Sequence, residues 1–205
     1  RLLDMASLDA RYEIQGRQLT ARVPGGGSHR AMTLAAVLCI LDVLGMGLEP
    51  ALNLPDSLVP AGRGQVHSVG GITLVDDSYN ANPHSKRAAL DSLRPQPGRR
   101  HIAVLGERLE LGADGPRFHA ELAAYCDGLD GVMCVGEGMQ ALHDALPASM
   151  RMGHCPLADE DLLERFVEML KTGDVVLVKG SNRVFWQTGF ADRLARRLAN
   201  APAGE

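Results

Sequence analysis

The mostly polar stretch from Asp76 to Asn82 holds the side chains best suited to chemistry in this chain. It follows an apolar run, Ile72 to Val75, that is typical of a buried strand, and it precedes Pro83, which suits the first position of a helix. Carboxylates at such a junction can hold a metal ion or a ribose hydroxyl, and amide side chains can hold amides or carboxylates. The alternative is a strand-to-helix turn whose Asp and Asn residues only cap backbone groups.

Two further junctions between an apolar strand and a helix carry polar residues, one from Gly106 to Gly112 and one from Lys179 to Arg183. Because parallel strands share one carboxyl edge of a sheet, we expect both to lie beside the Asp76–Asn82 stretch. The Lys-Gly-Ser sequence that opens the last junction offers a cation and backbone N–H groups, which suit a phosphate or a carboxylate. The alternative for Lys179 is a solvated lysine at the end of a strand.

The elements that would position these junctions follow an α/β pattern from residue 63 onward. Gly70-Gly71 between two short apolar runs predicts a β-hairpin. Continuous apolar strands separated by amphipathic helices need both faces covered, which favours a Rossmann-like, mostly parallel sheet with helices on both sides. Strands are expected at 66–69, 72–75, 101–106, 131–136, 150–155 and 174–180, and helices at about 83–93, 118–125, 139–146, 162–170 and 190–198, with Asn82 as the N-cap of the first.

The first 62 residues have a different pattern. Alternating segments at 10–14 and 19–23 predict a hairpin, and Ser28 can cap a helix that runs to about Leu44. A second short helix is expected from about Glu49 to Leu58. Two strands and two helices are too few for a complete domain of this kind.

Composition narrows the classes of function and the compartment. The formal net charge is −4 with no basic block, which argues against nucleic acid or an anionic membrane as the main partner. The four cysteines have no metal-binding spacing, so we expect buried free thiols in a reducing compartment and no metal site. No apolar run reaches the ~20 residues of a membrane span, and no signal peptide or P-loop motif G-x-x-x-x-G-K-[ST] is present. A chain that starts at Arg1 is expected to be a fragment or a processed product.

Taken in order, the motifs resemble those of the Mur ligases. The resemblance runs from about His29 to Ser181 and rests on four segments: Gly62-Arg63-Gly64, Asp76-Asp77-Ser78-Tyr79-Asn80-Ala81-Asn82-Pro83, Ile102 to Gly112, and Gly173 to Ser181. It implies that residues 63–205 are the Rossmann-like C-terminal domain of the family and that residues 1–62 are the end of its central α/β ATPase domain. The P-loop, the metal-binding carboxylates and the UDP-sugar domain of that family would then lie outside this chain.

The resemblance also implies an activity. The family consists of ATP-dependent amide ligases, and the motifs look most like those of the members that add D-alanyl-D-alanine to a UDP-N-acetylmuramoyl-tripeptide through an acyl phosphate in cytoplasmic peptidoglycan synthesis. ATP and Mg²⁺ would serve the intact enzyme, whereas this chain alone is expected to be inactive and to bind neither tightly. The alternatives are another Mur-type or folylpolyglutamate-type ligase, or a non-catalytic Rossmann-like binding module.

Roles for individual residues come from the same resemblance. Two residues at the interdomain joint are assigned to catalysis and the nucleotide: Arg63, which would reach the ATP phosphates, and Asp77. A second group is assigned to the amine substrate, and its last two members are candidates for the dipeptide carboxylate: Tyr79, Asn80, Asn82, Lys179 and Ser181.

The sequence departs from the family pattern at three places. Met32 and Thr33 occupy the region in which the family has an Asn that helps to form the nucleotide site. Arg108 interrupts the Gly106–Gly112 motif, and the segment 182–186 replaces the usual continuation after Ser181.

Overall fold

The computed structural model of the protein describes residues 1–6, 8–109 and 111–200. Glu110 of the Gly106–Gly112 motif and the tail after Asn200 lie outside the described residues. The chain divides into two compact units, Arg1–Pro60 and Ala61–Glu205.

The first unit contains a three-stranded antiparallel sheet and two helices. Its strands are β1 (Leu2–Ala6), β2 (Asp9–Ile14) and β3 (Arg17–Arg22), in that spatial order, and its helices are α1 (Ser28–Val43) and α2 (Glu49–Leu52). The predicted hairpin is present as β2 and β3. The edge strand β1 was missed, because its side chains do not alternate cleanly between buried and exposed.

Two details of this unit correct the sequence analysis. The helix predicted from Glu49 to Leu58 stops at Leu52, and a separate 3₁₀ turn covers Asp56–Leu58, because Pro55 cannot continue the hydrogen bonding of a helix. The N-cap of α1 is Gly27 rather than Ser28.

The α1 helix is apolar on nearly every side. Leu34 and Leu38 are buried against the sheet, whereas Ile40 and Val43 are exposed. Cys39 is also exposed, so the expectation that all four cysteines are buried is wrong for this one, which lies beside Ile40 on that outer side. The other three cysteines are buried free thiols.

The second unit is built on a six-stranded sheet with the order β4-β5-β9-β6-β7-β8. Neighbouring strands are parallel except β4, which pairs antiparallel with β5. The turn between those two strands has positive φ at both Gly70 and Gly71, as the predicted hairpin requires. The strands are β4 (Gln65–Val69), β5 (Ile72–Asp77), β6 (Arg100–Gly106), β7 (Gly131–Val135), β8 (Arg151–Cys155) and β9 (Asp174–Lys179).

Helices cover both faces of this sheet, and the predicted Rossmann-like fold class is confirmed. Successive residues of β9 point to opposite sides: Leu177 belongs to the core under α3 and α5, and Val178 to the core under α6 and α7. The helix predicted at 118–125 is split into a short α-helix and a 3₁₀ segment, Glu121–Tyr125. The helices are α3 (Pro83–Leu93), α4 (Gly115–Ala120), α5 (Gln140–Ala145), α6 (Glu160–Met169) and α7 (Phe190–Asn200).

Short turns complete the second unit. They include 3₁₀ turns at Gly112–Asp114 and Glu137–Met139, and a π-helical turn at Asn182–Trp186 follows β9. Sequence periodicity gave no sign of the π-helical turn. None of the described helices is long and apolar enough to cross a membrane.

Candidate functional site

The carboxyl ends of β5, β9 and β6 lie side by side, so the three polar junctions predicted from the sequence open at one edge of the sheet. Asp77 is the register partner of Lys179, and Leu105 is the partner of the same lysine on the other side. The expectation that these junctions converge is confirmed.

Lys179 is held inside the protein at this edge. Its Nζ atom lies 2.7 Å from Oδ2 of Asp77 and donates to the backbone oxygen of Asn80 at 2.8 Å and to that of Asp77 at 3.5 Å. Only 2% of the residue is exposed, so the alternative of a solvated lysine is wrong. Because its three protons have protein acceptors, Lys179 fixes the Asp77–Asn80 loop, and its role towards a dipeptide carboxylate stays a prediction.

Asp76 points to the other face of β5 and organises the chain segment that carries Arg63. Its Oδ2 accepts a hydrogen bond from the N–H of Gly62 at 3.1 Å, and its Oδ1 accepts one from the N–H of Ser78 at 3.1 Å. The backbone oxygen of Asp76 also accepts from the N–H of Gly64 at 2.6 Å. The carboxylate of Asp76 therefore fits the alternative of an Asp residue that caps backbone groups, and the alternation along β5 separates it from Asp77.

Arg63 and Tyr79 are in contact. The guanidinium carbon of Arg63 lies 4.2 Å from the centroid of the Tyr79 ring, a cation–π distance, and Trp186 meets that ring edge-on at a centroid distance of 5.3 Å. Gly62 makes room for this stack, since a Cβ there would lie 2.6 Å from Trp186. Trp186, the only tryptophan in the chain, is a member of this stack that no sequence motif indicated.

The two asparagines of the motif support local structure. The Oδ1 atom of Asn82 accepts from the N–H of Ser85 at 2.7 Å, and the Oγ atom of Ser85 accepts from the N–H of Asn82 at 2.9 Å, so Asn82 is the predicted N-cap of α3. The Oδ1 atom of Asn80 accepts from the N–H of Ala81 at 2.8 Å. The capping interpretation therefore accounts for the side-chain oxygen of each residue. Asn80 and Asn82 are exposed, and their contact with a substrate stays a prediction.

Ser181 follows a close approach of two backbones. A Cβ on Gly180 would lie 2.9 Å from the Cα of Gly106, so glycine is needed where β9 and β6 end. The Oγ atom of Ser181 is buried and has no hydrogen-bond partner within the described chain. Next to it, the side-chain amide of Asn182 donates to the backbone oxygen of Tyr79 at 3.2 Å and ties the two junctions together.

Lys86 and His119 are buried polar residues near the end of β6 that the sequence analysis missed. Lys86 donates to the backbone oxygen of Gly106 at 2.7 Å. Burial, followed by the charge of Lys179, lowers the pKa of Lys86 to about 8. The Nδ1–H of His119 donates to the backbone oxygen of Gly138 at 3.0 Å, and burial lowers the pKa of His119, so we expect a neutral ring at pH 7.

Over the described ranges, no three His, Cys, Asp or Glu side chains come together in a group able to hold a metal ion. Charged side chains at this sheet edge include those of Arg63, Asp76, Asp77, Lys86 and Lys179, together with Glu107 and Arg108 of the loop after β6.

Comparison with known proteins agrees with this architecture. The family described as "Mur ligase, glutamate ligase domain" matches residues 62–182. The UDP-N-acetylmuramoyl-tripeptide–D-alanyl-D-alanine ligase of Rickettsia prowazekii is 31% identical over 176 residues, which cover 84% of this chain and 39% of that protein. The enzyme of the same name from Synechocystis is 30% identical over 185 residues, which cover 88% of this chain and 39% of that protein.

Among solved structures, the MurF ligase of Thermotoga maritima in complex with ADP is similar, with a TM-score of 0.77 and 27% identity over 96% of this chain and 47% of that one. The chain thus spans about two fifths of the length of the curated relatives described above. The motif-based resemblance is confirmed, and the chain belongs to the Mur ligase family.

Proposed function

We propose that this chain is the C-terminal part of an ATP-dependent ligase that joins D-alanyl-D-alanine to a UDP-N-acetylmuramoyl-tripeptide in cytoplasmic peptidoglycan synthesis. The observation that supports this most is the convergence of Arg63, Asp77 and the Tyr79–Asn82 segment at one sheet edge, in a chain whose relatives are named for that reaction. In this proposal residues 1–62 are the end of the central ATPase domain and residues 63–205 the C-terminal domain. The UDP-sugar domain and the P-loop belong to the rest of a longer parent chain.

Arg63 and Asp77 supply charge to the nucleotide side of the proposed reaction. ATP, with Mg²⁺, provides the phosphoryl group that turns the tripeptide carboxylate into an acyl phosphate. Arg63 fits a role beside those phosphates because it is exposed and its guanidinium is oriented by the ring of Tyr79. The carboxylate of Asp77 is fixed by Lys179, so it keeps its position without a ligand.

The amine substrate would lie along the loop that Lys179 supports. Attack by its amino group on the acyl carbon forms the amide bond and releases inorganic phosphate, and the amine loses a proton. Tyr79, Asn80 and Asn82 would position the dipeptide, and the unpartnered hydroxyl of Ser181 is a further hydrogen-bonding group for it. Orientation of this kind accounts for a large part of the rate in reactions between two bound substrates.

The test is an assay of the parent protein with ATP, UDP-N-acetylmuramoyl-tripeptide and D-alanyl-D-alanine, with the product detected by mass spectrometry. We expect the pentapeptide product and an equal amount of ADP from the parent, and no product from the 205-residue chain. Product formation by the 205-residue chain alone, or a parent that hydrolyses ATP without forming the amide, would contradict the proposal.

A further inference from the structure

A small pocket opens beside the N-terminal half of α3, on the α3 face of the sheet in the second unit. Its volume is about 100 Å³, and its other walls come from the loop after β6, from α4 and from the 3₁₀ segment after α4. That volume is well below the roughly 300–1,000 Å³ of pockets for drug-sized ligands, so it admits one small group. We name it the cation pocket, after the side chains of Lys86, Arg87 and Arg108 in its lining.

The three cations of this pocket have hydrogen-bonding capacity that the protein does not use. The Nε atom of Arg87 is buried and has no acceptor within the described ranges, and its guanidinium lies 4.1 Å from the centroid of the Tyr125 ring. Buried Lys86 makes one side-chain hydrogen bond, to the backbone oxygen of Gly106. The guanidinium of Arg108 makes no hydrogen bond or ion pair with any described residue, so its donors are open to a ligand.

Among the described residues, two carboxylates lie near these groups. Glu121 is the acidic residue of the lining and is itself exposed. The nearby carboxylate of Glu107 keeps its negative charge, and its Oε2 accepts a hydrogen bond from the N–H of Gly138 at 2.9 Å. Burial lowers the pKa of His119, and its Nε2 accepts a hydrogen bond from the backbone N–H of Arg108, so we expect this ring to add no positive charge at pH 7. Three cationic side chains of the lining thus face two carboxylates among the described residues, and the net positive charge favours an anion.

The rest of the wall is apolar and suits a ligand with a short hydrocarbon group. Leu111, Phe118 and Leu122 line the side opposite α3. An inorganic anion would leave this surface without a partner, whereas a carboxylate that carries a methyl group would cover it.

We propose that the cation pocket binds the C-terminal carboxylate and the terminal methyl group of a D-alanyl-D-alanine dipeptide. The inference rests on the proposed function and names the carboxylate subsite of its amine substrate. Lys179, the residue first considered for that carboxylate, has its protons occupied by Asp77 and Asn80, whereas Arg87 and Arg108 have donors to spare. Lys86 links the pocket to the sheet edge through Gly106, which ends the strand next to β9.

Binding can be tested on the 205-residue chain by ¹H–¹⁵N NMR, following the Nε–H signals of Arg87 and Arg108. Three separate titrations are compared: one with D-alanyl-D-alanine, one with the C-terminal amide of that dipeptide, and one with inorganic phosphate. We expect saturable shifts of both signals with the dipeptide, and affinities for the amide and for phosphate that are at least roughly 10-fold weaker, because each loses either the charge or the apolar contact. Equal response to the amide, tighter binding of phosphate, or no shift of these signals overturns the proposal.

Substitutions give a second readout. Arg87→Gln and Arg108→Gln should each weaken dipeptide binding about 10-fold or more, since a charge-assisted hydrogen bond is lost. Arg196→Gln is the matched control, because Arg196 is an exposed arginine on α7 outside the pocket, and it should leave binding unchanged. If both pocket variants bind the dipeptide as tightly as the wild type, the assignment of the cation pocket as the carboxylate subsite is wrong, whereas the ligase proposal is unaffected. Loss of ligation by the parent with normal dipeptide binding would instead count against the proposed function.

Discussion

The Nζ atom of Lys179 lies 2.7 Å from Oδ2 of Asp77, and the two residues are register partners on the adjacent strands β9 and β5. The lysine also reaches the backbone oxygen of Asn80, so one buried cation holds the loop that carries the family motif. The segment Asp77-Ser78-Tyr79-Asn80 is therefore a supported loop, in which the position of Asp77 depends on a residue 102 positions later in the chain.

Removal of the Lys179 ammonium should destabilise the second unit. Lys179→Met leaves the Asp77 carboxylate and two backbone oxygens without their cation, and breaking a buried ion pair in this way costs about 3–5 kcal/mol. Urea unfolding followed by the fluorescence of Trp186, the only tryptophan, reports on this unit. Lys171→Met, at an exposed lysine just before β9, is the control and should change stability by less than ~0.5 kcal/mol. Similar midpoints for the two variants would show that the pair does not support the loop.

Gly180→Ala should destabilise the same unit by about 1–3 kcal/mol, because the new Cβ would meet the backbone of Gly106 and the ring of Phe185. The backbone contact cannot be relieved by a rotamer change. Gly115→Ala offers a matched comparison, since its Cβ would meet only the Cβ of Leu111 at an ordinary 3.6 Å. The same urea measurement separates them, and equal stability of the two variants would contradict the close approach of β6 and β9.

The buried amine of Lys86 predicts a pH dependence of stability. Its pKa is about 8 in the folded protein against 10.5 for an ordinary lysine, so the unfolded chain holds more protons between these values and the Lys86 contribution to stability rises with pH there. The groups that act on it are Lys179 and Arg108, which lower the pKa, and Glu107 and Cys134, which raise it.

The contribution is measured as the difference in unfolding free energy between the wild type and Lys86→Met. This difference should rise by about 2 kcal/mol between pH 7.5 and 9.5, in favour of the wild type. A difference that stays level, or falls, over this range would refute the assignment of a depressed pKa to Lys86.

Arg63 should matter for turnover rather than for folding. In the parent enzyme, Arg63→Ala is expected to lower kcat about 10²-fold through lost stabilisation of charge in the transition state, with little change in the KM for the dipeptide. The exposed Arg196→Ala serves as the control and should keep full activity. An Arg63→Ala enzyme with wild-type kcat would remove Arg63 from the site.

Several parts of this structure follow from local sequence. The Gly70-Gly71 hairpin and the Asn82-Pro83 start of α3 are fixed by backbone preferences that act within a few residues. Apolar strands between helices also predicted a common carboxyl edge for the polar junctions. In the first unit, the prediction of a helix that runs to Leu58 was wrong. Pro55 lies inside that range, and a proline cannot continue the hydrogen bonding of a helix.

The contacts that define the site depend on the spatial order of the strands, which brings together residues far apart in the sequence. Sequence patterns did not show that β9 lies between β5 and β6, and without that order the Asp77–Lys179 pair cannot be inferred. The cation pocket depended on which side of α3 carries Lys86 and Arg87 and on the break between α4 and the following 3₁₀ segment. Trp186 lies in a π-helical turn, for which hydrophobic periodicity gives no signal.

Amine selectivity tests the central claim most directly. The parent enzyme is supplied with ATP and UDP-N-acetylmuramoyl-tripeptide, and kcat/KM is compared for D-alanyl-D-alanine, meso-diaminopimelate and glutamate. We predict a preference for D-alanyl-D-alanine of at least about 10³-fold, because a site built for its carboxylate and methyl group leaves the extra charges of the other two unpaired. Equal use of the three amines, or a preference for glutamate or the diamino acid, would contradict the assignment of this chain to a D-alanyl-D-alanine-adding ligase.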